Sequence, residues 1–288
     1  MNNSSFISGE KFQALADVSI IPEGSDLGES NCGFVLAQQI NNNYNTFYYN
    51  ENTSTLPDYV QNAQVIFVNT YTLDKFFVKI FPLLQRSYIF ISHNSDNAFT
   101  EKYTEYLNNC KVKKWFSQNV STHHPKLFSL PIGIANQQYS HGDLNLLASI
   151  IKLNNKKENL VYKNFDIYTN HQIRSYIDQV TSQNGIEMYP KVNQVEYLTN
   201  LSKSIFCVSP PGNGADCHRN WECFYLKTIP ILKYDTCYDQ YKHLPILFIE
   251  DWRQVTQEFL NASLEKNITW DSVIAELDIE HWRAKLYN

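Results

Sequence analysis

The apolar run from Ser204 to Val208 ends in Ser209-Pro210-Pro211-Gly212-Asn213-Gly214. An apparent helix follows from about Cys217 to Lys227, ahead of Ile229-Pro230-Ile231-Leu232. Strand, tight loop, helix and strand in that order commit the segment to a β-α-β unit with a polar loop at a strand end. Arg219 and Glu222 stand three residues apart near the helix start and therefore share a helix face. The first turn of a helix presents N–H groups without intrahelical partners and the positive end of the helix dipole. An anion held there, with an arginine beside it and a carboxylate one turn further in, matches the diphosphate and ribose hydroxyls of a nucleotide.

The same rhythm runs through the rest of the chain. In the first half, Val65 to Val68, Tyr88 to Ile91, Lys113 to Phe116 and Lys126 to Leu130 read as strands, with helices over Thr72 to Leu84 and Phe99 to Leu107. A polar link from Leu153 to Asn159 precedes a fresh start. Strands are expected at Leu160 to Tyr162, Ile186 to Tyr189, Ile205 to Val208, Ile229 to Leu232 and Ile246 to Ile249. Helices are expected over Asn170 to Val180, Val192 to Lys203, Gln254 to Leu260 and Asp271 to Leu286. With 288 residues the chain has room for two domains of this kind. The expected fold is α/β, two facing Rossmann-like domains with a cleft between them, divided as residues 1–154 and 155–288.

Composition narrows the function classes. A net charge of −5 with no long basic run argues against a nucleic-acid surface. The six cysteines lack C-x-x-C spacing, which suits reduced thiols in a cytoplasmic protein, and Cys217, His218 and Cys223 lack the spacing of a zinc site. No basic-then-apolar leader opens the chain, and no apolar run approaches the ~20 residues of a membrane span. No Asp-x-Asp stands near a strand end, so metal independence is expected.

Ligands of open parallel sheets sit beyond the carboxyl ends of the strands. Four segments gather polar residues or glycine there: Ser92 to Asn97, Pro131 to Gly133, Asn164 to Arg174, and the loop and helix from Ser209 to Glu222. The last of these, Phe206-Cys207-Val208-Ser209-Pro210-Pro211-Gly212 with Asp216-Cys217-His218-Arg219-Asn220-Trp221-Glu222 and Ile229-Pro230-Ile231, resembles the donor-binding segment of exostosin-like glycosyltransferases. That family belongs to the two-Rossmann-domain (GT-B) class. Its pattern runs from a strand ending S/C-P-x-G to R-x-x-E on a helix and then a G-x-I-P-V/I strand; here Lys227-Thr228 replaces the glycine. Ser92-His93-Asn94-Ser95-Asp96, Trp115-Phe116-Ser117-Gln118-Asn119 and Leu130-Pro131-Ile132-Gly133-Ile134 are similar to segments of compact viral and bacterial members. The resemblance implies a transferase using a nucleoside-diphosphate sugar of UDP or GDP type as co-substrate, with a glycan acceptor and without a metal.

Under that resemblance Arg219 neutralises the donor diphosphate as the leaving group gains charge, and Glu222 accepts from the ribose hydroxyls. The bland alternatives are a surface Arg219–Glu222 pair and a solvated helix charge. Ser209, Gly212, Asn213 and Gly214 allow close backbone approach, although a plain turn also explains them. His218 reaches a phosphate or sugar hydroxyl, Arg174 is a second phosphate contact or an exposed helix arginine, and Asp216 suits a helix cap. On the acceptor side, a general base must take the proton of the attacking hydroxyl. Asp96, His93 and Glu10 are the candidates, with an Asx turn the competing account of Asp96. The competing functions are a non-catalytic nucleotide- or glycan-binding protein and another chemistry on the same fold, such as epimerisation.

Overall fold

A computed structural model describes residues 5–24, 37, 39–264 and 270–288. Its strands form two sheets, each parallel throughout. The chain divides into two compact units, Ile7–Tyr139 with Ile279–Asn288, and Met1–Phe6 with Ser140–Asp278. The division therefore falls at 139/140 and not at the expected 154/155. Helix Leu144–Leu153 packs on helix Gln194–Ser202, which places it with the later sheet. The expected tail helix is two helices, Asp271–Glu276 and Ile279–Tyr287, and the second joins the first unit. There Trp282 meets Phe12 edge-on at 5.8 Å, and Lys114 Nζ donates to the Lys285 carbonyl at 3.4 Å.

In the first unit, β1 (Val18–Pro22), β2 (Asn45–Tyr49), β3 (Val65–Asn69), β4 (Tyr88–His93), β5 (Val112–Gln118) and β6 (Leu127–Leu130) lie in the order β2-β1-β3-β4-β5-β6. The winding reverses between β1 and β3, the point at which such sheets open a crevice at their carboxyl ends. Neither β1 nor β2 is evident from periodicity. β1 is five residues with a serine inside and a proline at its end, and β2 is a half-exposed edge strand. The helix expected over Thr72 to Leu84 is regular only over Leu73–Lys79, with 3-10 turns on either side, and Pro82 stands in the second turn. Phe76 and Phe77 from this segment pack on Phe90 and Trp115, whose rings stack at 4.4 Å. The buried indole N–H of Trp115 donates to Ser92 Oγ at 2.9 Å, so no polar atom of that ring is left without a partner.

The second unit carries β7 (Asn159–Tyr162), β8 (Ser204–Val208), β9 (Ile229–Lys233) and β10 (Leu247–Ile249) in the order β10-β9-β8-β7. The strand expected at Ile186 to Tyr189 does not form. Its one backbone bond to β7 territory runs from Tyr189 N–H to the Lys163 carbonyl at 2.8 Å, and Pro190 follows without an N–H. Ile177 and Val180 of helix His171–Gln183 bury against Phe206, Val208 and Ile231 to form the core beneath the β7 and β8 ends. Pro230 is accommodated in β9 because β10 pairs only from Ile231 onward, so the missing N–H costs no ladder bond to β10. Lys227, at the glycine position of the resembled pattern, has φ +54°, the left-handed conformation that glycine adopts without strain.

Candidate functional site

The segment from β8 to β9 has the expected order: strand Ser204–Val208, loop, helix His218–Tyr225, strand Ile229–Lys233. The helix N-cap is Cys217, which makes no side-chain capping bond. Asp216 does not cap the helix as expected. Its buried carboxylate accepts from Asn220 Nδ2 at 2.9 Å and Trp221 Nε1 at 2.8 Å. Asn220 is the hub of the loop, accepting from Ser209 Oγ at 2.6 Å and donating to Tyr238 Oη at 3.0 Å. Tyr238 Oη in turn donates to the Ala215 carbonyl at 2.8 Å. Ser209 is thus spent on holding the loop. Asn220 and Tyr238 escaped sequence reasoning because their partners only meet in the fold.

Arg219 is mostly buried, and its Nε is fully buried with no hydrogen-bond partner. Among the described residues no group hydrogen-bonds or ion-pairs with its guanidinium. The simple surface pair with Glu222 is therefore not what forms. Glu222 is 6% exposed and accepts from Tyr197 Oη at 2.9 Å through Oε2, while Oε1 receives no hydrogen bond from the described residues. Burial raises its pKa, against the pull of the Tyr197 hydrogen bond and the Arg219 charge. Tyr197, from helix Gln194–Ser202, is a site residue with no signal in the motif itself.

Arg174 is buried and braces the loop. Its Nε donates to the Pro211 carbonyl at 2.9 Å and its Nη1 to the Asp166 carbonyl at 2.7 Å. Its guanidinium carbon lies 5.7 Å from the Phe165 ring centre. Burial, and then the charge of Arg219, lower its pKa. Nη2 has no bond and points towards Gly212, where a Cβ would lie 3.6 Å away. That contact is ordinary and the φ of Gly212 is not positive, so neither packing nor strain demands glycine there. Asn213 is exposed and Gly214 buried on the same loop. His218, the first helical residue, has its ring 6.3 Å from that of His141, a neighbour that no motif announced. Burial lowers the pKa of His141.

The Glu222 shift has a measurable sign. A carboxyl raised above its ordinary value binds more protons in the folded than in the unfolded state between those two values, so its contribution to stability falls as pH rises through that window. Glu222→Gln is expected to remove that fall and so make the slope of unfolding free energy against pH more positive there, by up to ~1.4 kcal/mol per pH unit. Denaturant melts at stepped pH read this directly; identical slopes would place Glu222 in water.

The base candidates all lie in the first unit. Glu10 is fully buried in the first turn of helix Gly9–Ala14, which precedes β1. A single bridge between Ser8 and Ile134 precedes Glu10. Its carboxyl accepts from Gln137 twice, from the backbone N–H and from Nε2, both at 3.0 Å, and burial raises its pKa. His93 ends β4 and is buried, with Nδ1 accepting from Asn94 N–H at 2.7 Å and Nε2 at 3.0 Å from the Pro131 carbonyl. The Asn94 N–H and the Pro131 carbonyl suit the tautomer with its proton on Nε2, and Asn94 Oδ1 lies 3.2 Å from Nδ1. A Cβ on Gly9 would fall 3.0 Å from His93 Nδ1, so the first helix and the β4 end are in direct contact. Asp96 is exposed on the following segment. That segment is turned by Ser95 Oγ, which accepts from Asn97 N–H at 3.1 Å.

Among the described residues no group of three or more His, Cys, Asp or Glu side chains could hold a metal ion, and no helix is long and apolar enough to cross a membrane. Cys217 and Cys223 are free thiols. No protein-family model matches the chain, and no curated protein matches its sequence.

Proposed function

We propose that the second unit binds a nucleoside-diphosphate sugar, of UDP or GDP type, and that the chain is a GT-B-class glycosyltransferase. It passes the sugar to a hydroxyl of a glycan acceptor bound by the first unit. The observation that carries this reading is Arg219, whose buried Nε has no hydrogen-bond partner, in the first turn of helix His218–Tyr225. A buried N–H left without an acceptor costs stability, and an anionic ligand that supplies the acceptor removes the cost. Arg174 Nη2 adds a second donor above Gly212, and Oε1 of Glu222 supplies an acceptor for a ribose hydroxyl. In the transfer step the bond from the anomeric carbon to the diphosphate oxygen breaks, and Arg219 stabilises the charge that gathers there. The acceptor oxygen attacks the same carbon and gives its proton to a carboxylate of the first unit.

A non-catalytic binding protein of the same fold is favoured by one observation, that Glu10 and His93 already have their acceptor positions occupied by Gln137 and Asn94. Asp96, the exposed carboxylate, is then the base that separates the two readings. Release of nucleoside diphosphate from UDP- and GDP-sugars, followed with and without glycan acceptors, tests the reaction. Asp96→Asn is expected to keep donor binding and reduce turnover at least about a hundredfold. Full turnover in Asp96→Asn with loss in Glu10→Gln moves the role to Glu10, and donor binding with no turnover on any acceptor favours the binding protein.

A further inference from the structure

Tyr168 is the most exposed of the large hydrophobic side chains described, at 84%. It is nonetheless held in place. It stands on the single 3-10 turn Ile167–Asn170, which follows β7, and its N–H donates to Asp166 Oδ1 at 2.9 Å. Its ring stacks on that of His171 at 5.7 Å and 24°. Both ends of the turn are fastened to the anion site. Arg174 Nη1 grips the Asp166 carbonyl at 2.7 Å, and Asn170 Nδ2 grips the Gly212 carbonyl at 2.8 Å. Between them, Thr169 Cγ2 lies 3.9 Å from where a Cβ of Gly212 would be. Consecutive Cα atoms are about 3.8 Å apart, so the Tyr168 backbone is one residue removed from the wall of the phosphate site.

An aromatic ring that is oriented, solvent-exposed and tethered through the Arg174 guanidinium has a use if the anion carries a planar ring. We infer that Tyr168, backed by His171, is the stacking platform for the nucleobase of the ligand whose diphosphate meets Arg219 and Arg174. This deepens the donor-site reading and rests on it. Stacking of a base on an aromatic side chain tolerates any base, because every base has a π face. The platform therefore selects nucleoside diphosphates over inorganic pyrophosphate without choosing between uracil and guanine.

Titration calorimetry with UDP, GDP and inorganic pyrophosphate on the full chain tests this. Tyr168→Ala is expected to weaken both nucleotides about five- to a hundredfold and to leave pyrophosphate binding unchanged, while Tyr168→Phe binds all three like the unaltered protein. Because the ring is exposed, its loss leaves the core intact, and an unchanged melting temperature checks that. Equal losses for nucleotides and pyrophosphate would make Tyr168 a brace of the loop and overturn the proposal. Unchanged nucleotide binding in Tyr168→Ala would overturn it too. Pyrophosphate binding with no gain from a nucleoside would leave the anion site standing and remove the platform. If the unaltered protein binds none of the three, the donor-site reading itself falls.

Discussion

Arg219→Met is expected to weaken nucleoside-diphosphate binding by about two to three orders of magnitude. Truncating one partner of a desolvated, hydrogen-bonded charge pair costs roughly 2–5 kcal/mol, most of it the penalty of leaving the other charge unpaired. The diphosphate would be that other charge. Methionine keeps much of the apolar stem, so packing of the helix start is largely preserved. The ligand-free protein should melt within a few degrees of the original. Removing a buried N–H that has no acceptor relieves a desolvation cost, and removing a charge that favours ionised Glu222 offsets part of the gain. A large loss of affinity at nearly constant stability is the mark of a ligand-facing arginine. A structural arginine gives the reverse, a collapsed melting temperature.

Gly133→Ala is expected to be the most damaging small substitution in the first unit. Gly133 has φ +69°, and a Cβ there would sit 2.6 Å from the Ile7 carbonyl oxygen and 2.9 Å from its carbon. Left-handed strain costs about 1 kcal/mol and overpacking about 1–3 kcal/mol, and here the obstacle is backbone, which cannot swing aside. The same contact carries the bond from Ile134 N–H to the Ile7 carbonyl at 3.0 Å and the bridge between Ser8 and Ile134. Those interactions seat Gly9 and Glu10 against the β4 end. The variant should lose about 2–4 kcal/mol, and its melting temperature should fall by about 5–15 °C. Thermal unfolding by circular dichroism measures it, and a loss below about 1 kcal/mol would mean that Ile7 moves freely.

The segment around Arg219 was legible because its information is local. A strand, its loop and the next helix are contiguous, and the i, i+3 spacing of Arg219 and Glu222 needs no knowledge of the rest of the fold. Partnership was not legible. Tyr197 reaches Glu222 from a separate helix, and Tyr238 reaches Asn220 from beyond β9. Ser209 looks like a ligand contact in the motif, yet its hydroxyl goes to Asn220, eleven positions on. In the first unit, β1 became a strand through pairing with both β2 and β3, which no five-residue window can reveal. The expected strand at Ile186 to Tyr189 had the right residues and failed for lack of a ladder, with Pro190 closing it. The unit boundary moved for a related reason. Helix Leu144–Leu153 has no chemical mark of the sheet it serves, only an apolar face that finds a partner in the fold.

The central claim is that Arg219 awaits a diphosphate, and the most direct measurement is the melting temperature of the unaltered protein with UDP and GDP in excess, beside that of Arg219→Met. A ligand of the native state at about a hundred times its dissociation constant adds about 2.7 kcal/mol, enough to raise the midpoint by several degrees. The account predicts that rise for at least one nucleotide in the unaltered protein and none in the variant. No shift with either nucleotide, or an equal shift in the variant, would contradict it.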